Sequence, residues 1–398
     1  MILTGSLAVL MVIGALQVLA GWIATLRFTR RAESGTGGAV PISILKPLHG
    51  REPLLAAALA TLCEQDYPAP WQIVFGVHDH TDTAIPIVTA LRARYPDRDI
   101  GLIIDPTPHG TNPKVANLIN MLPAARHDIL VIADSDVHTR PDYLRHLADA
   151  LSRPGTGLVT TLYTGLPAFR TLASLLGTTQ ITHGFLPGAL LARALGRRDC
   201  LGATMCLRRE TLTRVGGLEA LKDHLADDNV LGQLVRAEGL DVALAHTVVA
   251  TTVPEQSMAA LWRHELRWAR TIRTLAPASY AASVLQYPMF LAVLTLLTSG
   301  GAVWTWALLI GVWSIRALAV VGIDHALGGM LGGLAFRCPV WLVPVRDLLS
   351  AAEWVVSHTG RRVDWRGRIL RADTPSRLNP LDTQPGTRSG LSKGSHAR

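Results

Sequence analysis

A run of 22 residues without a charged side chain lies near the amino terminus, at residues 5–26. It is long enough to cross the hydrocarbon core of a bilayer as one helix. Arg27, Arg30 and Arg31 follow it, whereas a cleaved signal peptide carries its basic residues before the apolar run. Because basic residues favour the cytoplasmic side, this order predicts a membrane anchor with the chain from residue 27 onward in the cytoplasm.

The composition indicates a membrane protein with a soluble portion. Apolar residues make up 49% of the chain and charged residues only 17%, and the net charge is +8. The basic residues gather beside apolar segments and near the carboxyl terminus, which favours a membrane surface over nucleic acid as partner. The four cysteines form no C-x-x-C pair and are interpreted as reduced, buried thiols: Cys63, Cys200, Cys206 and Cys338.

Four short apolar runs between residues 38 and 275 alternate with helix-like stretches at 52–63 and 83–95. The runs are ISIL (42–45), QIVFGV (72–77), IGLIID (100–105) and ILVIAD (129–134). Continuous apolar strands separated by helices predict an α/β domain with a mostly parallel sheet covered on both faces. Ligands of such sheets bind beyond the carboxyl ends of the strands, where four acids fall: Asp79, Asp105, Asp134 and Asp136.

A second membrane region is predicted at 279–356, with a helical hairpin formed by 284–299 and 302–322. The following segment, 325–356, is apolar but carries four charges, so it could span the membrane, lie at its interface or re-enter it; the charges are Arg337, Arg346, Asp347 and Glu353. The tail, 357–398, is basic at first and then rich in Pro, Ser, Thr and Gly. It is predicted to be cytoplasmic and partly disordered, which requires an even number of spans after the soluble domain. A short flexible linker is predicted at 32–40.

The sequence Asp134-Ser135-Asp136 ends the fourth apolar run. Two carboxylates at one strand end offer the hard oxygen ligands that suit Mg²⁺ or Mn²⁺. Such a metal would hold a diphosphate and offset charge on a departing phosphate. The alternative is a turn that caps the next helix.

Polar residues elsewhere suggest anion and nucleotide contacts. In VHDHTD, Asp79 and Asp82 could meet a base or ribose, or the segment could be an ordinary exposed loop. Asn112-Pro113 predicts the start of a helix, and a helix amino terminus next to Lys114 is a good anion site, with Asn117 one turn further on. The alternative is a capped surface helix with a solvated lysine.

Two further segments suggest catalytic chemistry. Asp227 and Asp228 begin an amphipathic stretch, where one carboxylate could serve as a general base; the alternative is that the helix dipole favours acids there. In Leu261–Arg273, Arg267 could reach a diphosphate and Trp268 could line an acceptor pocket. The alternative is a basic amphipathic helix at the membrane surface.

Taken together, these motifs resemble membrane glycosyltransferases of the family-2 type, and most closely the ceramide glucosyltransferase group (family 21). Within that group the bacterial hopanoid-biosynthesis-associated glycosyltransferases are the most similar. The matching segments are SILKPLHG (43–50), QDYP (65–68), VHDHTDTAI (77–85), GTNPKVANLINMLP (110–123), ADSD (133–136), GATMCLRRETL (202–212), HLADDNVLG (224–232), HELRWARTIR (264–273) and VDWRGR (363–368).

The resemblance implies a nucleotide-diphospho-sugar transferase (GT-A-like) fold and an inverting transfer from a UDP-sugar to a lipid hydroxyl. It also implies a multi-pass protein of the bacterial inner membrane with a cytoplasmic catalytic domain and a divalent metal, Mg²⁺ or Mn²⁺. By position, Asp228 takes the place of the general base beside Asp227, and Asp134 with Asp136 fills the metal-diphosphate motif. The remaining donor-binding positions are Pro47, Leu48, Asp79, Asp82, Asn112, Lys114, Asn117, Arg267, Trp268 and His264. His264 stands where the family's Q/R-x-x-R-W motif usually carries Gln or Arg.

The hopanoid resemblance implies transfer of N-acetylglucosamine from UDP-GlcNAc to a bacteriohopanepolyol. Transfer of glucose from UDP-glucose to ceramide is the alternative within the same group. A processive polysaccharide synthase is a further enzymatic alternative, although it would need more membrane spans. A membrane-anchored nucleotide-sugar-binding protein without turnover is the alternative from another class.

Overall fold

A computed structural model of the chain describes residues 1–31, 38–360, 362–365 and 368–371. Most of the predicted linker at 32–40 and most of the predicted tail at 357–398 lie outside the described residues. The α/β domain predicted at 38–275, which we call the catalytic-type domain, is built around one eight-stranded sheet. Its strands are β1 (Ile42–Pro47), β2 (Trp71–Val77), β3 (Asp99–Ile104), β4 (Ile129–Ala133), β5 (Val137–His138), β6 (Thr156–Pro167), β7 (Thr204–Arg208) and β8 (Asp241–Val253).

The strand order across the sheet is β3-β2-β1-β4-β7-β6-β8-β5. Strands β3, β2, β1 and β4 pair in parallel, as do β6 and β8, whereas β7 is antiparallel to both of its neighbours and β5 is antiparallel to β8. Six strands therefore run in one direction and two run against them. The mostly parallel sheet predicted from the sequence is confirmed, and the four apolar runs are its first four strands.

Helices cover both faces of this sheet. They are α2 (Leu55–Cys63), α3 (Ile85–Arg94), α4 (Pro113–Met121), α5 (Tyr143–Ser152), α6 (Leu172–Gln180), α7 (Leu186–Ala194), α8 (Arg209–Arg214), α9 (Asp227–Ala237) and α10 (Met258–Leu275). Alternate residues of β4 enter different cores: Ile129 and Val131 join the cluster on one face, and Leu130 and Ile132 join the cluster on the other. Because side chains alternate along a strand, burial on both faces requires an unbroken apolar run.

The helices outside this domain are α1 (Ile2–Thr29), α11 (Pro277–Ala282), α12 (Pro288–Thr298), α13 (Val303–Leu331) and α14 (Leu342–Ser357). A two-stranded hairpin of β9 (Arg362–Trp365) and β10 (Arg368–Arg371) follows. Within the described part of the chain, two helices are long and apolar enough to cross a bilayer: α1 and the segment Val303–Leu334 that contains α13. The segments Pro277–Gln286 and Pro288–Thr298 form a pair bent by 68° that counts as a third only if both belong to one broken span.

The structure differs from the predicted hairpin in its first arm, because 284–299 is not one helix. The chain breaks at Tyr287, whose φ of −111° and ψ of 61° are not helical. Pro288 follows, and a proline disfavours the helical conformation of the residue before it. The second arm extends beyond its predicted end at 322, as far as Leu331.

The ambiguous segment 325–356 forms the end of α13, a loop and α14, and the charges of α14 are buried in protein contacts. Arg346 donates to Glu265 of α10 at 2.9 and 3.1 Å and to Glu353 at 2.9 Å. Asp347 pairs with Arg316 of α13 at 2.5 Å. Buried charges persist when they are paired, so these ion pairs tie α14 to both α10 and α13.

Candidate functional site

A lysine and two carboxylates meet beyond the carboxyl end of β4. The Lys114 ammonium nitrogen lies 2.8 Å from an oxygen of Asp134 and 3.1 Å from an oxygen of Asp227. Lys114 is the second residue of α4, Asp134 follows β4, and Asp227 begins α9. Burial lowers the pKa of Lys114, but the two carboxylates outweigh it, and the net effect raises that pKa above its ordinary value. Lys114 is therefore held as a cation between two carboxylates at neutral pH and is not the solvated surface lysine of the alternative interpretation.

Asp228 stands next to this cluster in the first turn of α9. Burial raises the pKa of Asp228 to about 7, and the charge of Asp227 adds to the rise, while Lys114 and the Asn229 N–H oppose it. The backbone of Gly202 leaves room for this side chain, because a Cβ atom at that position would lie 2.9 Å from an Asp228 oxygen. A carboxylate with a pKa near 7 is suited to proton transfer at neutral pH.

Asp136, the second acid of the D-x-D sequence, is held by a hydrogen bond from the Thr251 hydroxyl. Burial raises its pKa to about 6, and the charges of Asp134 and Glu52 contribute to the rise. Between the two acids, Ser135 donates to Glu52 at 2.6 Å. The turn thus concentrates negative charge on one small volume.

Beneath these acids lies Lys46, which is fully buried in β1. Its ammonium group donates to the carbonyl of Val137 at 3.0 Å. Burial lowers the pKa of Lys46 to about 8, and the carboxylates of Asp136, Asp134 and Glu52 limit the fall. This cation offsets part of the acidic charge from inside the sheet.

The acids of the D-x-D turn are the candidate metal ligands of the site. Within the described residues, no three His, Cys, Asp or Glu side chains are grouped as a ready-made metal site. The two carboxylates of Asp134 and Asp136 nevertheless form a hard oxygen donor set, and the charge of Asp134 disfavours ionisation of Asp136. A divalent cation would relieve that repulsion, so the residues present fit such an ion.

The predicted asparagines hold the loops of the site in place. Asn112 caps α4, since its side-chain oxygen accepts from the N–H groups of Lys114 at 2.9 Å and Val115 at 3.2 Å. Asn117 is buried and donates to the carbonyl of Gly76 at 2.8 Å and to that of Leu48 at 3.5 Å. Both amides are engaged with backbone and hold these loops in place, and the nucleotide contact of Asn112 and Asn117 stays a prediction.

The ends of β1 and β2 are joined through their loops. The Leu48 N–H, next to Pro47, donates to Gly76 at 2.8 Å. Asp82 accepts from the N–H of Gly50 at 3.0 and 3.1 Å, which links the two loops. Asp79 is exposed and closes a turn with Thr81, whose N–H and hydroxyl lower its pKa.

Helix α10 carries the remaining predicted residues, which are His264, Arg267 and Trp268. His264 pairs with Glu255, and its ring packs edge-on against Trp268 with centroids 4.4 Å apart. Arg267 lies half-buried on the same helix. The buried residues of α10 are Leu261, Glu265 and Leu266, so apolar contacts and the ion pair of Glu265 with Arg346 fix its orientation.

Tyr163 of β6 is a residue that the sequence analysis missed. Burial raises its pKa, and the charges of Asp228, Asp134 and Asp136 raise it further, so its hydroxyl lies in the electric field of these three acids. Its ring stacks on Phe185 at 4.4 Å between centroids. Phe185 in turn packs against an apolar cluster shared by the catalytic-type domain, α1 and α13. Tyr163 therefore lies between the acids and the membrane helices.

Lys46 and Glu52 were missed as well. A lysine inside an otherwise apolar strand is an unusual signal, because a charge in that place must be paired. The strand sequence ISILKP carried that signal. Glu52 and Tyr163 had no comparable local pattern, since tertiary contacts alone bring them to the site.

The chain is similar in sequence to curated ceramide glucosyltransferases. Ceramide glucosyltransferase 1 of Caenorhabditis elegans is 25% identical over 208 residues, which are 51% of this chain and 44% of that protein. The ceramide glucosyltransferase of Komagataella phaffii is 34% identical over 116 residues, which are 28% of this chain and 23% of that protein. The chain thus matches less than half the length of these curated relatives.

Among solved structures, the mannosyltransferase PcManGT of Pyrobaculum calidifontis, in complex with GDP-Man and Mn²⁺, is similar with a TM-score of 0.52 at 17% identity. The match covers 89% of this chain and 98% of that one. It shows the nucleotide-sugar transferase (GT-A-like) fold. Residues 6–378 match the family described as Glycosyl transferase family 21. The chain therefore belongs to glycosyltransferase family 21.

Proposed function

We propose that the protein transfers a sugar from a UDP-sugar to a hydroxyl group of a membrane lipid, with inversion at the anomeric carbon. The observation that carries this proposal is the carboxylate of Asp228. It has a pKa of about 7 and stands beside the Lys114–Asp134–Asp227 ion cluster at the ligand-binding edge of the sheet. Such a group accepts a proton at neutral pH, as an acceptor hydroxyl requires before attack.

In this mechanism Asp228 removes the proton of the lipid hydroxyl. The freed oxygen attacks the anomeric carbon from the face opposite UDP, and the bond from that carbon to the diphosphate oxygen breaks. Lys114 and Arg267 bind the diphosphate and offset the charge that develops on it. Asp227 keeps the ammonium group of Lys114 in place and raises the pKa of its neighbour Asp228.

A divalent metal, Mg²⁺ or Mn²⁺, would be held by Asp134 with Asp136. When bound, it would neutralise charge on the diphosphate oxygens. The Mn²⁺ bound by PcManGT supports this assignment. Lys46 also stabilises this turn without a metal, because its buried charge attracts the carboxylates of Asp134 and Asp136.

The apolar route from the membrane supports a lipid acceptor. Tyr163 stacks on Phe185 beside the acids, and the cluster behind Phe185 includes Ile323 and Leu327 of α13, with Trp22 of α1 packed against it. A lipid held by α1 and α13 would approach the site along this cluster, which lowers the entropic cost of meeting a soluble donor. We place the catalytic domain at the cytoplasmic face of a bacterial inner membrane, as the basic residues after α1 indicate.

Two acceptors remain candidates. The motif resemblance supports N-acetylglucosamine transfer to a bacteriohopanepolyol, whereas the curated relatives are ceramide glucosyltransferases and support glucose transfer to ceramide. We favour the hopanoid acceptor, because the motifs of this chain resemble those of the hopanoid-associated enzymes.

The test incubates purified protein with UDP-GlcNAc or UDP-glucose and with a bacteriohopanepolyol or ceramide, with and without a chelator. Mass spectrometry then identifies the lipid products. A glycosylated bacteriohopanepolyol that depends on added Mg²⁺ or Mn²⁺ is expected. Product on ceramide alone would reject the hopanoid assignment but keep the lipid transferase. Donor binding without any lipid product would favour a non-catalytic nucleotide-sugar-binding protein.

A further inference from the structure

A cavity of about 470 Å³ lies where α1, α13 and the catalytic domain meet. Its wall includes Arg30 and Arg31 after α1, Arg140 and His246 of the catalytic domain, and His325 of α13. A second cavity of about 430 Å³ shares Arg31 and His246 with it, so the two are neighbours. We call them together the junction cavity.

The junction cavity is strongly basic. Six arginines line it against two acids; they are Arg30, Arg31, Arg140, Arg153, Arg193 and Arg198, opposed by Asp142 and Asp241. Arg140 pairs with Asp142 at 3.1 Å, Arg153 pairs with Asp149 at 3.2 Å, and Arg198 lies 3.6 Å from Asp241. The cavity therefore keeps an excess of positive charge after these pairs are formed, and that excess favours an anionic ligand.

The walls of the cavity are held in place by contacts between the membrane helices and the catalytic domain. Arg140 donates to the carbonyl of Gly329 near the end of α13 at 2.8 Å, and His246 contacts the carbonyl of Phe28 in α1 at 2.8 Å through Nε2. The other ring nitrogen of His246 is buried and has no hydrogen-bond partner in the described part of the chain. A buried polar atom without a partner is what a polar ligand would satisfy.

The helix dipole of α1 does not by itself explain the cluster of arginines in this cavity. The dipole at the carboxyl end of α1 alone would account for arginines after that helix. It does not account for Arg140, Arg153 and Arg193, which the catalytic domain contributes to the same cavities. Both helices that border the cavity are candidate membrane spans, and the cavity lies at the carboxyl-terminal ends of both, where a spanning helix meets the lipid headgroups.

We propose that the junction cavity binds the phosphate-bearing headgroup of an anionic lipid. Phosphate is the group that several converging guanidinium groups bind best. Such a lipid would bridge α1 to the catalytic domain and so fix the domain against the bilayer surface. The site is separate from the acids of the proposed transferase, and its test requires no sugar transfer.

The experiment is native mass spectrometry of the full-length protein titrated with phosphatidylglycerol or phosphatidylcholine in detergent. Wild-type protein should retain one phosphatidylglycerol in preference to phosphatidylcholine. The double variant R30Q/R31Q should bind it about 25-fold more weakly, since each basic residue contributes about fivefold. Arg27→Gln is the matched control, because Arg27 is exposed on the same helix and outside both cavities.

Equal loss in Arg27→Gln and in the double variant would overturn the proposal, as would unchanged retention in the double variant. Thermal unfolding in phosphatidylcholine checks that the double variant folds. Arg31→Glu is a second test, and we expect it to weaken binding at least as much as R30Q/R31Q. Glycerol 3-phosphate is titrated in parallel. If it raises the Tm as much as phosphatidylglycerol does at equal concentration, the site binds a soluble phosphate ester and the lipid assignment is rejected.

Discussion

The ammonium group of Lys114 lies 2.8 Å from the carboxylate of Asp134, which joins the first turn of α4 to the end of β4. Lys114 also reaches Asp227 at 3.1 Å. Lys114 thus links Asp134 of the D-x-D motif to Asp227, which is the neighbour of the proposed base Asp228. Changes at any of these residues should therefore affect donor binding, proton transfer and stability to different degrees.

Asp228→Asn should lower kcat by about a hundredfold or more, because the amide cannot accept the acceptor proton. Binding of the UDP-sugar should stay nearly unchanged, as measured by calorimetry. Asp97→Asn is the control, since Asp97 is an exposed aspartate. Full activity in Asp228→Asn would refute the base assignment.

The kcat/KM of the wild-type protein should rise with pH around a midpoint near 7, the pKa of Asp228. The sign follows because only the ionised carboxylate accepts a proton. The charge of Asp227 raises this pKa, so Asp227→Asn should move the midpoint to lower pH. A rate that is flat between about pH 5 and 8 would contradict the role of Asp228.

Asp228→Asn should also raise the Tm relative to wild type, and the difference should grow from pH 5 to pH 8. The pKa of Asp228 in the folded state, about 7, lies above its ordinary value of 3.8. The protonated carboxyl therefore favours the fold at low pH, and this contribution is lost as the pH rises through 7. The gain at pH 8 should be on the order of 1–3 kcal/mol after solvent screening. A Tm difference independent of pH would show that ionisation of Asp228 does not oppose folding.

Lys114→Gln should weaken UDP-sugar binding by about tenfold, since the diphosphate loses a charged hydrogen bond of roughly 1.5 kcal/mol. It should also lower the Tm, because Asp134 and Asp227 lose their shared cation. The double variant K114Q/D227N should recover part of that Tm but not the affinity. Lys222→Gln is the control, as that lysine pairs with Glu219 at the surface. Equal effects of both lysine variants would argue against a specific role.

Arg346→Met should destabilise the protein by about 3–5 kcal/mol, because Glu265 and Glu353 would remain buried without their cation. Adding E265Q and E353Q should restore much of the Tm in thermal unfolding. Arg337→Met, at an exposed position, should change it little. If the triple variant is as unstable as the single one, the ion cluster does not explain the packing of α10 on α14.

The sequence predicted β1 to β4 because each contains an unbroken apolar run. Burial on both faces explains that run in β1, β2 and β4, whereas β3 is a half-buried strand at the edge of the sheet. The sequence did not reveal β6, β7 and β8. Strand β6 contains four threonines, and its pairing with β8 and β7 depends on contacts far apart in the chain. Lys114, Asp134 and Asp228 were predicted because each ends or begins an element. Tyr163 and Glu52 lack such a marker, since the tertiary fold alone brings them to the acids.

The ion pair between Glu265 and Arg346 joins residues 81 positions apart. A ribosome therefore releases the whole sheet and α10 well before it makes the arginine that α10 needs. Until then the carboxylate of Glu265 would have to be buried without its cation, which is unfavourable. We therefore expect α10 to dock stably only after α14 has been made. A chain truncated before residue 346 would contain every proposed catalytic residue and still lack the cation that Glu265 needs when it is buried.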